Sequence, residues 1–378
     1  MRKNLLIPIL ILLVYNTTLM ANPIQSLCSP NNMIELVINQ EPKHITAIIK
    51  YKDKTVIPEI RLGLQEQNQT FHDNIKCLGF SKKAVIHEHY TAIHGKRSFC
   101  SNTGNTFTMH LENSQKKKLN IEFRVYNDGI CFRYVLSDSQ TDSLRFINEF
   151  TTYRIHREAD HWMQKYVPHY EGDFPHEKGN ISQGKWGYPA LVHYNNCWAL
   201  LTEANNNRNY CATHLTNVNH DELYEVTYPH KEEGNGIGST SPTALSPWTS
   251  PWRVIILGEL KNIVESTLVE DVSDPCLLSE TDWIQPGSAS WIYWAYNHGT
   301  KDYKTCCEYV DLAATMHWKY VLFDWEWDQM QNGGTLSDAA RYATSKGIKP
   351  LIWYNSGGKH NRVLSTPRDR LITTENRN

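Results

Sequence analysis

The stretch Lys319-Tyr320-Val321-Leu322-Phe323-Asp324-Trp325-Glu326-Trp327 decides the fold of the C-terminal part of the chain. Its apolar run ends in an acidic residue, which predicts a buried β-strand followed by a polar loop. Residues 290–296 and 348–354 predict two further strands, and helical patterns separate the three. We expect Asp302 to cap the first helix and Thr335 to begin a capping box at the second. Strands alternating with helices predict a parallel sheet with helices packed outside it.

The preceding residues have a different pattern. Residues 22–275 hold short alternating or apolar runs separated by turn residues, such as 44–51 and 119–126, and Asn127-Asp128-Gly129 predicts a hairpin turn. So many strands with almost no helical periodicity predict a large β-sandwich. A complete (β/α)₈ barrel takes about 250 residues, so residues 276–378 are expected to form a truncated barrel of its first three strands. A small complete α/β appendage is the alternative.

Composition and the N-terminus limit the function. The 378 residues carry 38 Lys+Arg and 40 Asp+Glu, and their mean hydropathy is −0.52. This balance is typical of a globular protein and argues against nucleic-acid binding and against several membrane spans. Arg2-Lys3, an apolar run over 5–14 and the small Ala21 predict a secretory signal over residues 1–21. We therefore expect an exported protein without a membrane anchor after cleavage, with an uncleaved anchor as the alternative.

Three acidic residues follow the deciding strand at alternate positions. Asp324, Glu326 and Asp328 would share one face of an extended chain, unless the chain bends at once. Glycoside cleavage needs two carboxyl groups, and clustered acids also bind Ca²⁺. The alternative is a solvated strand end. Residues 166–177, rich in His, acidic and aromatic side chains, could extend to a neighbouring pocket or be an ordinary surface loop.

Several motifs resemble glycoside hydrolase family 97. They are Trp283-Ile284-Gln285-Pro286-Gly287 with Trp291 and Trp294, Tyr309-Val310-Asp311-Leu312-Ala313-Ala314, the stretch 320–327, the stretch 347–358 with Trp353-Tyr354-Asn355-Ser356-Gly357-Gly358, and Thr366-Pro367-Arg368-Asp369-Arg370. The resemblance implies an N-terminal β-super-sandwich, a catalytic (β/α)₈ barrel and a C-terminal β domain. It also implies a periplasmic α-galactosidase or α-glucosidase with a Ca²⁺ ion held by glutamates. The sequence motif over residues 353–358 is more similar to the retaining, α-galactosidase-like branch of the family.

The resemblance also suggests roles for single residues. Asp324 and Glu326 are the catalytic candidates. Glu171 and Glu326 resemble calcium ligands, and Trp294, His298 and Asn355 resemble groups that line the sugar pocket. The main catalytic carboxylates are expected beyond residue 378, so we expect an N-terminal fragment that is inactive alone and whose partner is an oligosaccharide α-glycoside. A non-catalytic carbohydrate-binding β-sandwich module is the alternative function.

Overall fold

A computed structural model describes residues 23–137, 143–167, 171–179, 183–207, 209–217, 222–230 and 240–354. The predicted signal segment 1–21 and the predicted sugar-pocket residue Asn355 lie outside the described residues. Glu171 lies inside them. Within these ranges, no helix is long and apolar enough to cross a membrane.

Three antiparallel sheets form the N-terminal part of the protein. The eight-stranded sheet contains, in spatial order, β1 (Pro23–Cys28), β2 (Ile34–Gln40), β3 (Ile45–Tyr51), β4 (Lys54–Leu62), β13 (Thr152–Arg154), β20 (Leu223–Thr227), β19 (His214–Thr216) and β16 (Lys185–Trp186). The 11-stranded sheet contains β15 (His176–Lys178), β14 (Asp160–Trp162), β17 (Ala190–Tyr194), β18 (Cys197–Ala204), β23 (Trp252–Gly258), β11 (Gly129–Leu136), β10 (Lys118–Tyr126), β9 (Phe99–Glu112) and β7 (Lys76–Phe80), with β22 (Trp248–Thr249) on β11 and β8 (Ala84–Thr91) on β9. The four-stranded sheet contains β21 (Thr243–Leu245), β12 (Ser143–Glu149), β5 (Leu64–Glu66) and β6 (Gln69–Phe71).

The two large sheets share one hydrophobic core. Ile38 and Ile49 from the eight-stranded sheet belong to the same buried cluster as Phe123 and Phe132 from the 11-stranded sheet. Such a shared core, formed by the inward-facing residues of two antiparallel sheets, is the arrangement of a β-sandwich. The structure therefore agrees with the sandwich predicted for this part of the chain, and the predicted hairpin forms between Tyr126 and Gly129.

Two short helices cover the outer face of the 11-stranded sheet. They are α1 (Leu260–Glu265) and α2 (Leu268–Asp271), and Ile263 and Leu268 pack in a second cluster with Trp252. A Cβ added at Gly129 would lie 2.5 Å from the Ile255 carbonyl oxygen of β23 and 2.6 Å from the Leu268 side chain of α2, so the packing at this hairpin requires glycine. These helices lead from the sandwich to the α/β part.

The C-terminal part is a three-stranded parallel sheet with helices. Its strands, in spatial order, are β24 (Ala289–Trp291), β25 (Tyr320–Phe323) and β26 (Lys349–Ile352), and its helices are α3 (Tyr303–Thr315) and α4 (Leu336–Ser345). The Asp302 carboxylate accepts a hydrogen bond from the Thr305 amide at 2.9 Å, and Thr335 forms a capping box with Asp338. Both predicted helix starts are confirmed. The described residues hold three strands of this sheet, so a closed barrel stays a prediction.

One local prediction about this sheet is wrong, and for a second the structure shows the stated alternative, an immediate bend of the chain after the strand. The first strand ends at Trp291 and not at residue 296, because the Tyr296 amide donates to the Ile292 carbonyl at 2.9 Å and closes a turn. The turn buries Ile292 in the core and leaves Trp294 81% exposed. The chain also leaves the extended conformation directly after Phe323. Asp324, Glu326 and Asp328 therefore do not follow strand alternation.

Candidate active-site rim

The side chains predicted to form a site lie beyond the carboxyl ends of β24 and β25. Because the two strands are parallel neighbours, their following loops meet at one edge of the sheet. This edge is where ligands bind in parallel α/β sheets. We call the side chains of Trp291, Trp294, His298, Lys301, Asp324, Trp325 and Glu326 the rim.

Asp324 is the first residue after β25, and its side chain is held on both oxygens. The Trp291 indole Nε1 donates to Oδ2 at 2.5 Å, and the amide of Trp325 donates to Oδ1. The residue is only 5% exposed. The carboxylate of Asp324 therefore joins the ends of the two strands and has little surface left for a ligand.

Glu326 is held by two side chains from the turn after β24. Its Oε1 lies 2.7 Å from the Lys301 Nζ, and its Oε2 lies 2.6 Å from the His298 Nδ1. Burial acts to raise the pKa of Glu326, but the hydrogen bonds from Lys301 and His298 outweigh it, so the pKa is lowered from its ordinary value. Glu326 is thus ionised at neutral pH, which does not suit a general acid.

The backbone of Glu326 is left-handed, with φ 70° and ψ 16°. A glutamate rarely adopts this conformation, and such residues persist where the surrounding contacts determine them and cluster at functional sites. The Gln329 amide closes the following turn on the Glu326 carbonyl at 2.9 Å. The left-handed residue therefore reverses the chain and brings the Glu326 carboxylate to residues 298–301.

Aromatic rings surround these charged groups. The ring centroids of Trp291 and Trp294 lie 5.6 Å apart, and those of His298 and Trp325 lie 4.9 Å apart. Trp294 is the most exposed tryptophan of the group. Large rings with one polar edge bury area at low entropic cost and are suited to sugar rings, which have apolar faces and polar edges.

The loop after the third strand is linked to the loop after the second. The Trp327 Nε1 donates to the carbonyl of Trp353 at 2.8 Å, and the rings of Trp327 and Tyr354 meet edge to face at 5.6 Å. These contacts fix the end of the described chain at the same edge as the rim. Asn355, the next residue, falls outside the described part.

The residues described so far do not form a calcium site by themselves. Glu171 is exposed and lies between β14 and β15 in the chain, and the hydrogen-bond partners of Glu326 are Lys301 and His298. Among the described residues, no group of three or more His, Cys, Asp or Glu side chains is arranged to hold a metal ion. An ammonium group at 2.7 Å from Glu326 would also repel Ca²⁺. The calcium ligands therefore stay predictions.

Lys301 is a charged rim residue that the sequence analysis missed. Its signal was local, because His298 and Lys301 are three residues apart and can face the same side of one helical turn. The structure places Gly299–Lys301 in such a turn. A Cβ at Gly299 would lie 2.2 Å from Ile292, so the close packing of this turn requires glycine.

A β-sandwich is thus followed in one chain by a parallel α/β sheet whose edge carries two buried carboxylates and exposed aromatic rings. These features define a class of multidomain proteins in which a β-sandwich precedes a parallel α/β part. The chain belongs to the glycoside hydrolase 97 family, since residues 27–275 match the family model described as "Glycosyl-hydrolase 97 N-terminal".

Relatives with a stated activity match most of the chain. A probable retaining α-galactosidase of Streptomyces bingchenggensis is 24% identical over 86% of this chain and 51% of its own length. A retaining α-galactosidase of Bacteroides thetaiotaomicron is 23% identical over 87% of this chain and 55% of its own length. The crystal structure of a β-arabinopyranosidase has a TM-score of 0.83, with 27% identity over 93% of this chain and 59% of that one. The chain spans about half the length of the curated relatives it matches.

Proposed function

We propose that this chain supplies the sandwich and the first strands of an exo-acting α-glycoside hydrolase that removes a terminal sugar of galactose configuration. The rim carries the proposal, because exposed Trp294 packs against Trp291, which holds the buried carboxylate of Asp324 at the ligand-binding edge of a parallel sheet. The names of the relatives support the choice of sugar. A β-L-arabinopyranoside has the ring-hydroxyl arrangement of an α-D-galactopyranoside and lacks only the C5 hydroxymethyl group, whereas glucose differs at C4.

The rim residues have different proposed roles. Trp294 and His298 are exposed and would contact the sugar, with the indole against its apolar face and the imidazole at a hydroxyl. Asp324 and Glu326 are buried and held by neighbours, so we assign them to fixing the rim. The proton donor and the second catalytic carboxyl group that glycoside cleavage requires would then come from elsewhere in the complete site.

Calcium dependence and export to the periplasm are further parts of the proposal. Calcium dependence rests on the resemblance of Glu171 to a family ligand, since Lys301 and His298 engage both oxygens of Glu326, and export rests on the N-terminal sequence. No step of the proposed sugar binding depends on either.

Two measurements on the 378-residue chain test the proposal. We expect methyl α-galactoside to quench the tryptophan fluorescence with saturation, and methyl α-glucoside to bind more weakly. We expect no measurable release of nitrophenol from p-nitrophenyl α-galactoside, β-L-arabinopyranoside or α-glucoside. Turnover comparable to that of a complete family member would contradict the assignment as a part of the enzyme.

A chimera tests the catalytic function itself. Residues 22–354 would replace the corresponding half of the Bacteroides thetaiotaomicron retaining α-galactosidase. A folded chimera that hydrolyses the α-galactoside supports the proposal, and a folded chimera without activity on all three glycosides contradicts it. Galactoside binding that is unchanged in Trp294→Ala of the 378-residue chain would favour the alternative, a non-catalytic carbohydrate-binding sandwich.

A further inference from the structure

His298, Glu326 and Lys301 form a three-membered hydrogen-bonded chain across the rim. The side chain of Glu326 is 7% exposed, that of Lys301 is 33% exposed and that of His298 is 60% exposed. Exposure thus rises from the carboxylate in the middle to the imidazole at the surface. A ligand at the rim would meet the imidazole before the carboxylate.

We propose that Lys301 and Glu326 are positioning residues that fix the imidazole of His298, and that His298, rather than Glu326, contacts the substrate through its Nε2. Glu326 then binds neither the sugar nor calcium directly. The sugar part of this inference rests on the proposed function. The orientation of His298 and the exclusion of calcium stand on the geometry alone.

The donor and acceptor roles follow from the chemistry of the groups. An ionised carboxylate only accepts hydrogen bonds, so the 2.6 Å contact with Glu326 requires a hydrogen on His298 Nδ1. In the neutral imidazole the other nitrogen, Nε2, is then an acceptor. Its partner is a hydroxyl group that donates. A polyhydroxylated sugar offers such groups, and a site of this kind discriminates against an analogue that lacks the hydroxyl.

Lys301 completes the arrangement because it engages the other oxygen of Glu326. With Oε1 hydrogen-bonded to the ammonium group, Oε2 is the oxygen left for His298. The lysine itself starts from a fixed turn, since its carbonyl accepts from the Gln331 amide at 2.8 Å. The ring of Trp325, 4.9 Å from that of His298, packs beside the imidazole.

The left-handed backbone of Glu326 is an independent observation in favour of a positioning role. Strained residues of this kind persist where their contacts determine them, and here the side chain contacts Lys301 and His298 while the carbonyl accepts from the Gln329 amide. A calcium ligand in the same place would have its charge beside an ammonium group. The arrangement therefore suits an imidazole at Glu326, because the ammonium group of Lys301 already balances the negative charge of the carboxylate.

Nitrogen NMR of the ¹⁵N-histidine-labelled 378-residue chain tests the orientation, with the His298 signals assigned from His298→Gln. We expect His298 to carry its hydrogen on Nδ1 in the wild type. Lys301→Met should shift His298 toward the mixed tautomers of a free imidazole, and Lys301→Arg should retain the wild-type signals. Lys304→Met, which removes an exposed charge from the first turn of α3, should change nothing. An Nε2–H tautomer in the wild type, or unchanged signals in Lys301→Met, would overturn the proposal.

Two additions to the same sample separate the parts of the inference. Calcium chloride should leave the His298 signals in place, and a saturable shift that Glu326→Gln abolishes would overturn the exclusion of calcium. Methyl α-galactoside should shift Nε2 of His298 more than Nδ1. If the tautomer is as expected but the sugar shifts neither nitrogen, the positioning role stands and the contact with sugar, together with the proposed sugar site, is rejected.

The hydroxyl can then be identified with monodeoxy galactosides. The analogue that lacks the contacted hydroxyl should bind about tenfold more weakly to the wild type, which corresponds to about 1.4 kcal/mol. In His298→Ala, this analogue and the parent sugar should bind with equal affinity. The contact would be overturned if this analogue lost as much affinity relative to the parent sugar in His298→Ala as in the wild type. It would also be overturned if no deoxy analogue bound more weakly to the wild type.

Discussion

The sandwich and the rim each contain a network of cationic and glutamate side chains, but the two networks differ greatly in burial. In the sandwich, Arg253 pairs with Glu149 and Glu203, and the exposed fractions of the three side chains are 0%, 0% and 5%. In the rim, Lys301 and Glu326 hold His298, whose side chain is 60% exposed. A network with every member buried is out of reach of a ligand and affects only the fold, whereas a network that leaves one member exposed positions that member for a ligand.

Removal of the buried cation should have the largest effect. Arg253→Met leaves the carboxylates of Glu149 and Glu203 buried without their cation, although Thr151 and Tyr210 still donate to Glu149. We expect the free energy of unfolding of the sandwich to fall by about 3–5 kcal/mol, measured by urea denaturation. Lys50→Met, which breaks the half-exposed pair with Glu35, is the control and should cost at most about 1 kcal/mol. Equal costs in the two variants would contradict the comparison.

The buried histidine of the sandwich should make stability depend on pH. His161 is 3% exposed, and burial lowers its pKa to about 4, against about 6.5 in the unfolded chain. Between these values the unfolded state binds more protons, so stability rises with pH and is lost as the pH falls from about 6.5 to about 4. The loss should reach about 3 kcal/mol.

The measurement is the difference in unfolding free energy between wild type and His161→Phe at pH 7 and pH 4.5. The variant should lose most of this pH dependence, because it has no imidazole to protonate in the unfolded state. His87→Gln, an exposed position on β8, should keep the wild-type slope. A wild-type slope in His161→Phe would show that other groups cause the acid sensitivity.

The two regions also differ in how far their sequences predict them. Asp302 and Thr335 were predictable, because a helix cap depends on residues three positions away. The buried runs of the sandwich were predictable since period-2 patterns report burial directly. The turn at Ile292 was not predictable, because the apolar and aromatic run over residues 290–296 has the pattern of a strand whether the chain is extended there or turns. The contact of Lys301 with Glu326 spans 25 residues and depends on a left-handed backbone that the glutamate side chain does not signal.

Removal of the rim cation should have a smaller effect on stability than removal of Arg253. Lys301 is one-third exposed, so water compensates part of the lost ion pair, and Lys301→Met should lower the stability of the α/β part by about 1 kcal/mol. The measurement is the unfolding transition followed by hydrogen exchange of α3 and α4, with Lys304→Met as the unaffected control. A loss as large as that of Arg253→Met would make the rim network a second stabilising core.

The smallest effect on stability, and a clear effect on binding, is expected for Trp294→Ala. Because the residue is 81% exposed, its removal should change the unfolding free energy by less than about 0.5 kcal/mol. It should weaken the binding of methyl α-galactoside by about 5- to 10-fold, the value of one aromatic contact. The matched control is Trp283→Ala. Trp283 is 66% exposed and lines a cavity of about 610 Å³ with Tyr320 and Pro350, near the amino ends of β25 and β26.

The two tryptophans thus lie at opposite ends of one parallel sheet, and titration of both variants followed by calorimetry shows which end binds sugar. A loss in Trp294→Ala alone places the sugar at the carboxyl edge, where the buried carboxylates hold His298 toward the surface. A loss in Trp283→Ala alone would place it at the amino edge. The exposed imidazole of His298 would then have no ligand to position, and the contrast between the two charged networks would lose its functional meaning.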